Sequence, residues 1–239
     1  MRRRSSVGLF VAALVVRSIA SVAASAPAAA EAMASLERAL ADDPENLRVA
    51  ADYRQIAISV GEFDRPISFI EKLTKRKNAG PNVFISLALA YVDKVPTSGE
   101  IRRLYLGRDA MNAATKALEQ QPSTLAYYIR GQINLYYNNL VFHRIPRGID
   151  DLQKALSVAT PATPAILVAQ VHLSIGDGYW KLGEHARARE SWTRGLALFP
   201  DHERLRERLK GDEADVNGQV IRALWASTRV DTTLHGVVP

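Results

Sequence analysis

The stretch GDGYWKLGEHARARESWTRGLALFP, Gly176 to Pro200, decides how the whole chain is read. Three glycines fall within eight residues at its front, Gly176, Gly178 and Gly183. Such a cluster either forms a loop whose amides cradle a phosphate or supplies packing and turn positions on helices. A dinucleotide loop needs a strand before its glycines and a helix after them. Here the preceding residues are themselves helical in apolar spacing, with Leu173, Ile175, Tyr179 and Leu182 on the buried side or its edge. The glycines are therefore packing residues. Gly176 is small because a neighbouring helix approaches closely, and Gly183 lets the chain turn between helices.

Extended back to Ala169, the stretch becomes a unit of 34 residues ending at His202. It divides into a helix to Leu182, a turn at Gly183-Glu184, a second helix to Leu198 and a stop at Pro200. A unit of this length is the period of a helical-hairpin array. It resembles a tetratricopeptide repeat without a gap. Ile175, Gly176 and Tyr179 stand where that family packs its first helix, and Ala188, Trp192 and Leu196 where it packs the second. Gly195 and His172 depart from the usual alanine and tryptophan.

The pattern recurs upstream with decreasing clarity. Glu31 to Asn46 reads as a second helix alone, carrying Ala32, Leu36, Ala39 and Leu40. Leu47 opens a hairpin with Gly61 at its turn, and Pro81 opens another, 34 residues later. Within that unit, VPTSGEIRRLYLG makes it roughly ten residues longer than the family period, as an exposed loop or an extra turn of helix. Leu125 to Asn139 and Gly148 to Leu156 make a fourth hairpin, in which Gly131 and Gln132 compete for the small-residue position. DHERLRERLK reads as a polar-faced capping helix with Asp201 as N-cap, GDEADVNGQ as a linker, and IRALWAS as a short helix docking Trp225. TRVDTTLHGVVP is a tail without helical period, which packs back on the array or adds to a partner.

The fold expected is thus all-α: a tetratricopeptide-like helical-hairpin solenoid over residues 31–210, ending in its capping helix, with a linker, a short helix and an extended tail over 211–239. Residues 1–30 read as a secretory signal. MRRRSS is a basic start, Val7 to Val16 an apolar run broken by Arg17, and two small-residue cleavage sites follow, ending at Ala26 and Ala30. A spanning helix wants roughly 20 unbroken apolar residues, more than this run offers. The expected address is the periplasm or the exterior, with membrane attachment only through an uncleaved signal.

Charge and composition then exclude several functions. The chain carries +6, but Arg2, Arg3, Arg4 and Arg17 lie in the first thirty residues, leaving 27 basic residues against 25 acids. That balance gives no electrostatic footprint for nucleic acid, and the densest basic run, Lys72 to Asn78, reads as a solvated helix end. With no cysteine there is no disulfide frame, thiol nucleophile or thiolate site. The five histidines, His143, His172, His185, His202 and His235, form no H-E-x-x-H, and His172 with His185 lacks a third ligand. Asp42-Asp43 and Asp150-Asp151 are adjacent acids at expected helix ends, a poor arrangement for a catalytic pair, and the latter suits a helix N-terminus. No nucleophile elbow or phosphate loop is present. The reading is therefore non-enzymatic, without cofactor, metal or small-molecule substrate.

What remains is surface. The resemblance implies that first helices line a concave groove. Its positions here include Gln55, Asp93, Gln170, Asp177, Trp180 and Lys181, with Tyr136 added by the fourth hairpin. Gln170, Asp177, Trp180, Lys181, Tyr136 and Gln55 are the candidate partner-binding residues. Aromatics dominate interface energies, so Trp180 and Tyr136 are either anchors for a partner or packing for the next repeat. The function expected is a protein-interaction scaffold of the cell envelope. The alternative is an assembly subunit, or an accessory subunit of an exported enzyme, held through its edges and tail.

Overall fold

A computed structural model describes residues 26–136, 143–223 and 232–237. Among the described residues there are helices and no strand. They are α1 (Ala26–Asp42), α2 (Leu47–Val60), α3 (Asp64–Leu73), α4 (Pro81–Lys94), α5 (Glu100–Gln120) and α6 (Thr124–Tyr136). Then follow α7 (Arg144–Ser157), α8 (Ala165–Lys181), α9 (His185–Leu198), α10 (Glu203–Lys210) and α11 (Glu213–Ala223). Four hairpins result: α2 with α3, α4 with α5, α6 with α7, and α8 with α9. Helices α2, α4, α6 and α8 form an inner row, each packed on the next, and α11 extends that row past α8. The outer helices α3, α5 and α7 each pack on the inner helix that follows them. One apolar core runs through the stack from Met33 to Val220 and takes in Leu234 and Val237.

Local chemistry sets the helix limits. The Asn46 side-chain oxygen accepts from the Val49 amide at 3.1 Å and starts α2. The Glu45 carboxylate takes the amides of Gly80 and Asn82 at 2.9 and 3.1 Å, placing negative charge at the amino end of α4, where Pro81 stands first. In the quoted stretch, Gly183 has φ 80°, its N–H donates to the Trp180 carbonyl at 3.0 Å, and Glu184 N–H donates to Tyr179 at 2.9 Å. This paired closure needs a left-handed residue, which glycine supplies without steric penalty. A Cβ on Gly176 would lie 2.2 Å from Nε1 of Trp192. That fully buried indole donates instead to the Leu173 carbonyl at 3.2 Å. In the fourth hairpin Gly131 takes the small-residue position, since a Cβ there would meet the Gly148 carbonyl at 3.0 Å. Gln132 reaches across to the Ser174 hydroxyl of α8.

Several boundaries differ from the sequence reading. Helix α1 begins at Ala26, five residues before the start at Glu31 read for it, and its buried residues include Ala29, Met33 and Leu40, whereas Ala39 is exposed. The long connection after α4 becomes a 3-10 turn (Val95–Thr97) and an overhang of α5, which exposes Ile101, Leu104 and Tyr105. Asp201 is not an N-cap: α10 opens after His202, and the Asp201 carbonyl accepts from Arg206. The adjacent acids Asp150 and Asp151 lie in mid-helix rather than at an N-terminus, because α7 starts at Arg144. Most of the segment read as a linker, together with the start of the short helix read after it, forms α11. Asp212 receives the Asp215 amide on its side chain at 2.9 Å, and Val216 and Val220 are buried one turn apart. The signal features before residue 26, the connection at 137–142 and Trp225 lie outside the described residues.

Candidate functional site

The carboxyl end of the inner row is closed. Asp177, midway along α8, receives two bonds from the Arg208 guanidinium, Nε to Oδ1 at 2.9 Å and a terminal nitrogen to Oδ2 at 3.0 Å. Both side chains are only 3% exposed, and Arg208 also donates to the Gln219 side chain of α11 at 2.7 Å. One turn further, Trp180 donates its indole N–H to the Asn217 side chain at 2.6 Å and stacks on His185 with centroids 3.9 Å apart. Asp177 and Trp180 are therefore covered by α10 and α11 of the same chain, against the expectation that they face a partner. Lys181, last in α8, is exposed. Gln170 is half-buried two turns before Asp177.

The opposite end is arranged around a second charge pair. Arg54 of α2 donates to Oδ2 of Asp93 in α4 at 2.8 Å, with side chains 1% and 3% exposed. The sequence reading named Asp93 on the inner face but not Arg54. Thr232 of the tail completes the group. Its hydroxyl donates to Oδ1 of Asp93, and its carbonyl accepts from Arg54 at 2.7 Å. Leu234 and Val237 are buried, and the Val237 amide closes a turn on the Leu234 carbonyl at 3.0 Å. Gly236 lies beside Ile166 of α8, which shares a helical stripe with Gln170, Leu173 and Asp177. Six tail residues thus span from α2 and α4 to α8 along the inner row. The tail packs on the array, the first of the two courses open to it from sequence.

Gln55, next to Arg54, is half-buried, and its Nε2 and the Nε of Arg54 are buried without a hydrogen-bond partner among the described residues. Tyr136 closes α6, and its side chain lies outside the described part of the structure. Between the two ends, Asp151 of α7 is buried beneath Arg130 and Asn134 of α6, at 2.6 and 3.1 Å. This is a structural anchor between hairpin partners. Only long-range packing could have pointed to Arg54 and Thr232, which lie 178 residues apart.

The histidines do not assemble. His172 sits beside Ser191, and burial, with Arg194 nearby, holds its pKa below the ordinary value. His185 lies against Trp180 instead. Among the described residues no group of three His, Asp or Glu side chains is placed to hold a metal ion.

No family model matches the sequence, and no curated protein matches it. Solved structures do. A thermophilic tetratricopeptide-repeat protein from Thermus thermophilus superposes with a TM-score of 0.55 at 16% identity, over 83% of this chain and 91% of the other. The fold is a tetratricopeptide-type solenoid. The protein MamA is similar at a TM-score of 0.49 and 22% identity, over 75% of this chain and 91% of its own. With the thermophilic protein, at 16% identity, the fold alone is shared, and the working surface has to be argued from this chain's own residues.

Proposed function

We propose that this protein is a non-enzymatic, exported interaction scaffold of the cell envelope, and that the inner row of its solenoid holds a non-helical segment of a partner protein. The observation that carries the reading is the seat of residues 232–237. There a buried Arg54–Asp93 pair addresses one residue's carbonyl and hydroxyl, and apolar surface takes Leu234 and Val237. Backbone and side-chain recognition of this kind fits a peptide segment better than a small metabolite. The export part rests on the basic start, apolar run and small-residue sites of the first thirty residues. No described helix is long and apolar enough to cross a membrane.

Crosslinking in intact cells, followed by immunoprecipitation of the untagged chain, tests the reading. Gln55→Arg with Gln170→Arg places two long cations on half-buried inner-row positions and spares both charge pairs. At least one crosslinked protein should fall by about tenfold or more, equivalent to about 1.4 kcal/mol of binding. An unchanged set of partners would remove the inner row as the working surface. A second reading, docking through an edge, is favoured by the α5 overhang, where Ile101, Leu104 and Tyr105 stand exposed on one helical face. Loss of partners on changing those three to serine would select it.

A further inference from the structure

We propose that residues 232–237 are a resident, displaceable occupant of the inner row, a plug that imitates the partner segment and keeps the scaffold closed until that segment competes it away. The inference rests on the inner-row reading above and specifies its partner. The partner segment presents a hydroxyl residue to Asp93 and its carbonyl to Arg54, with apolar residues two and five positions later, as Thr232, Leu234 and Val237 do here.

Three observations make the segment an occupant rather than part of the scaffold. First, its backbone is strained. Leu234 has φ 56°, a left-handed conformation that a leucine adopts only where its surroundings impose it. Second, the fit is incomplete. Arg54 Nε is buried without a hydrogen-bond partner among the described residues, so residues 232–237 leave one donor of their principal anchor unanswered. A partner carbonyl or side-chain oxygen at that nitrogen would bind better than the tail does. Third, the tail can leave without dismantling the array. Of the core residues all but Leu234 and Val237 lie on helices α1 to α11, and eight residues join Ala223 to Thr232, a reach of up to about 26–29 Å when extended. Tethering compensates for the poor fit by holding the plug at high effective concentration.

The test uses the full chain and a fluorescent peptide of residues 230–239, VDTTLHGVVP, read by anisotropy. Thr232→Arg, Leu234→Asp and Val237→Asp in the chain's own tail should release the plug, and circular dichroism verifies that the helices remain. The released chain should bind the peptide, and the wild-type chain should bind it about tenfold or more weakly. Asp93→Asn in the released chain, or Thr232→Val in the peptide, should each reduce binding. A released chain that keeps its helices and binds no peptide overturns the proposal, as does equal binding by wild type. Amide exchange on the wild-type chain is a second measure: slow exchange at Val237 that Asp93→Asn accelerates supports the seat, and unprotected exchange overturns it. Peptide failure with loss of a crosslinked partner in the Gln55→Arg/Gln170→Arg chain defeats only the plug. Peptide binding with indifferent partners leaves the plug standing and defeats the scaffold reading.

Discussion

At one end of the inner row Asp177 and Arg208 pair beneath α10 and α11; at the other Asp93 and Arg54 pair beneath residues 232–237. The ion chemistry matches, and so does the burial. The lids differ. Over Asp177 lie two helices with their own hydrogen bonds, a further acceptor in Gln219 and a pinned indole at Trp180. Over Asp93 lies one short segment, with a leucine in left-handed backbone and one guanidinium nitrogen without a partner among the described residues. A buried charge pair in a solenoid therefore does not by itself mark either a structural joint or a binding seat. What covers it, and how firmly, decides between them.

The same truncation at both ends tests that contrast most directly. Asp177→Ala strands Arg208 beneath helices that cannot move aside cheaply, so urea unfolding should show a loss of about 3–5 kcal/mol. Asp93→Ala should lose less, about 1–3 kcal/mol, because the tail can lift and let water reach Arg54. Equal losses at the two ends would mean that the tail is as fixed as the helical cap. The smallest effect is in pH. His172 and His202 sit at the capped end, and burial lowers both pKa values below the usual 6.5. The folded state therefore binds fewer protons than the unfolded chain in this range. The stability they contribute is complete above about pH 6.5 and declines as pH falls through the lowered folded values. His172→Gln should flatten part of that decline in unfolding curves taken from pH 7 to 5.

Sequence was a good guide wherever the determining contact was local or periodic. Gly183 and Glu184 close a turn within five residues, and Gly176 meets Trp192 only sixteen residues away, so the last hairpin could be read directly. Residues 213–219 were misread as a linker because Asn217 and Gly218 resemble linker composition, while the Asp212 cap and the Val216/Val220 spacing that make them helical are brief signals. The positional rule that placed Asp177 and Trp180 on the inner face located the stripe. It could not tell that α10 and α11 would cover its end. The Arg54–Asp93–Thr232 group had no sequence signal as a group, since two of its contacts join residues 139 and 178 positions apart.

The buried position of Val237 bears on how the protein should be handled in the laboratory. A purification handle or fluorescent reporter fused after Pro239 is separated by only two residues from a side chain seated in the array. Such a fusion would pull on the very segment whose release is at issue, and a carboxyl-terminal bait could report partners that the untouched chain keeps out. An epitope in the exposed α5 overhang or an antibody against the native chain avoids that bias. A difference between partner lists obtained with the two kinds of bait would itself measure how tightly the array holds its own end.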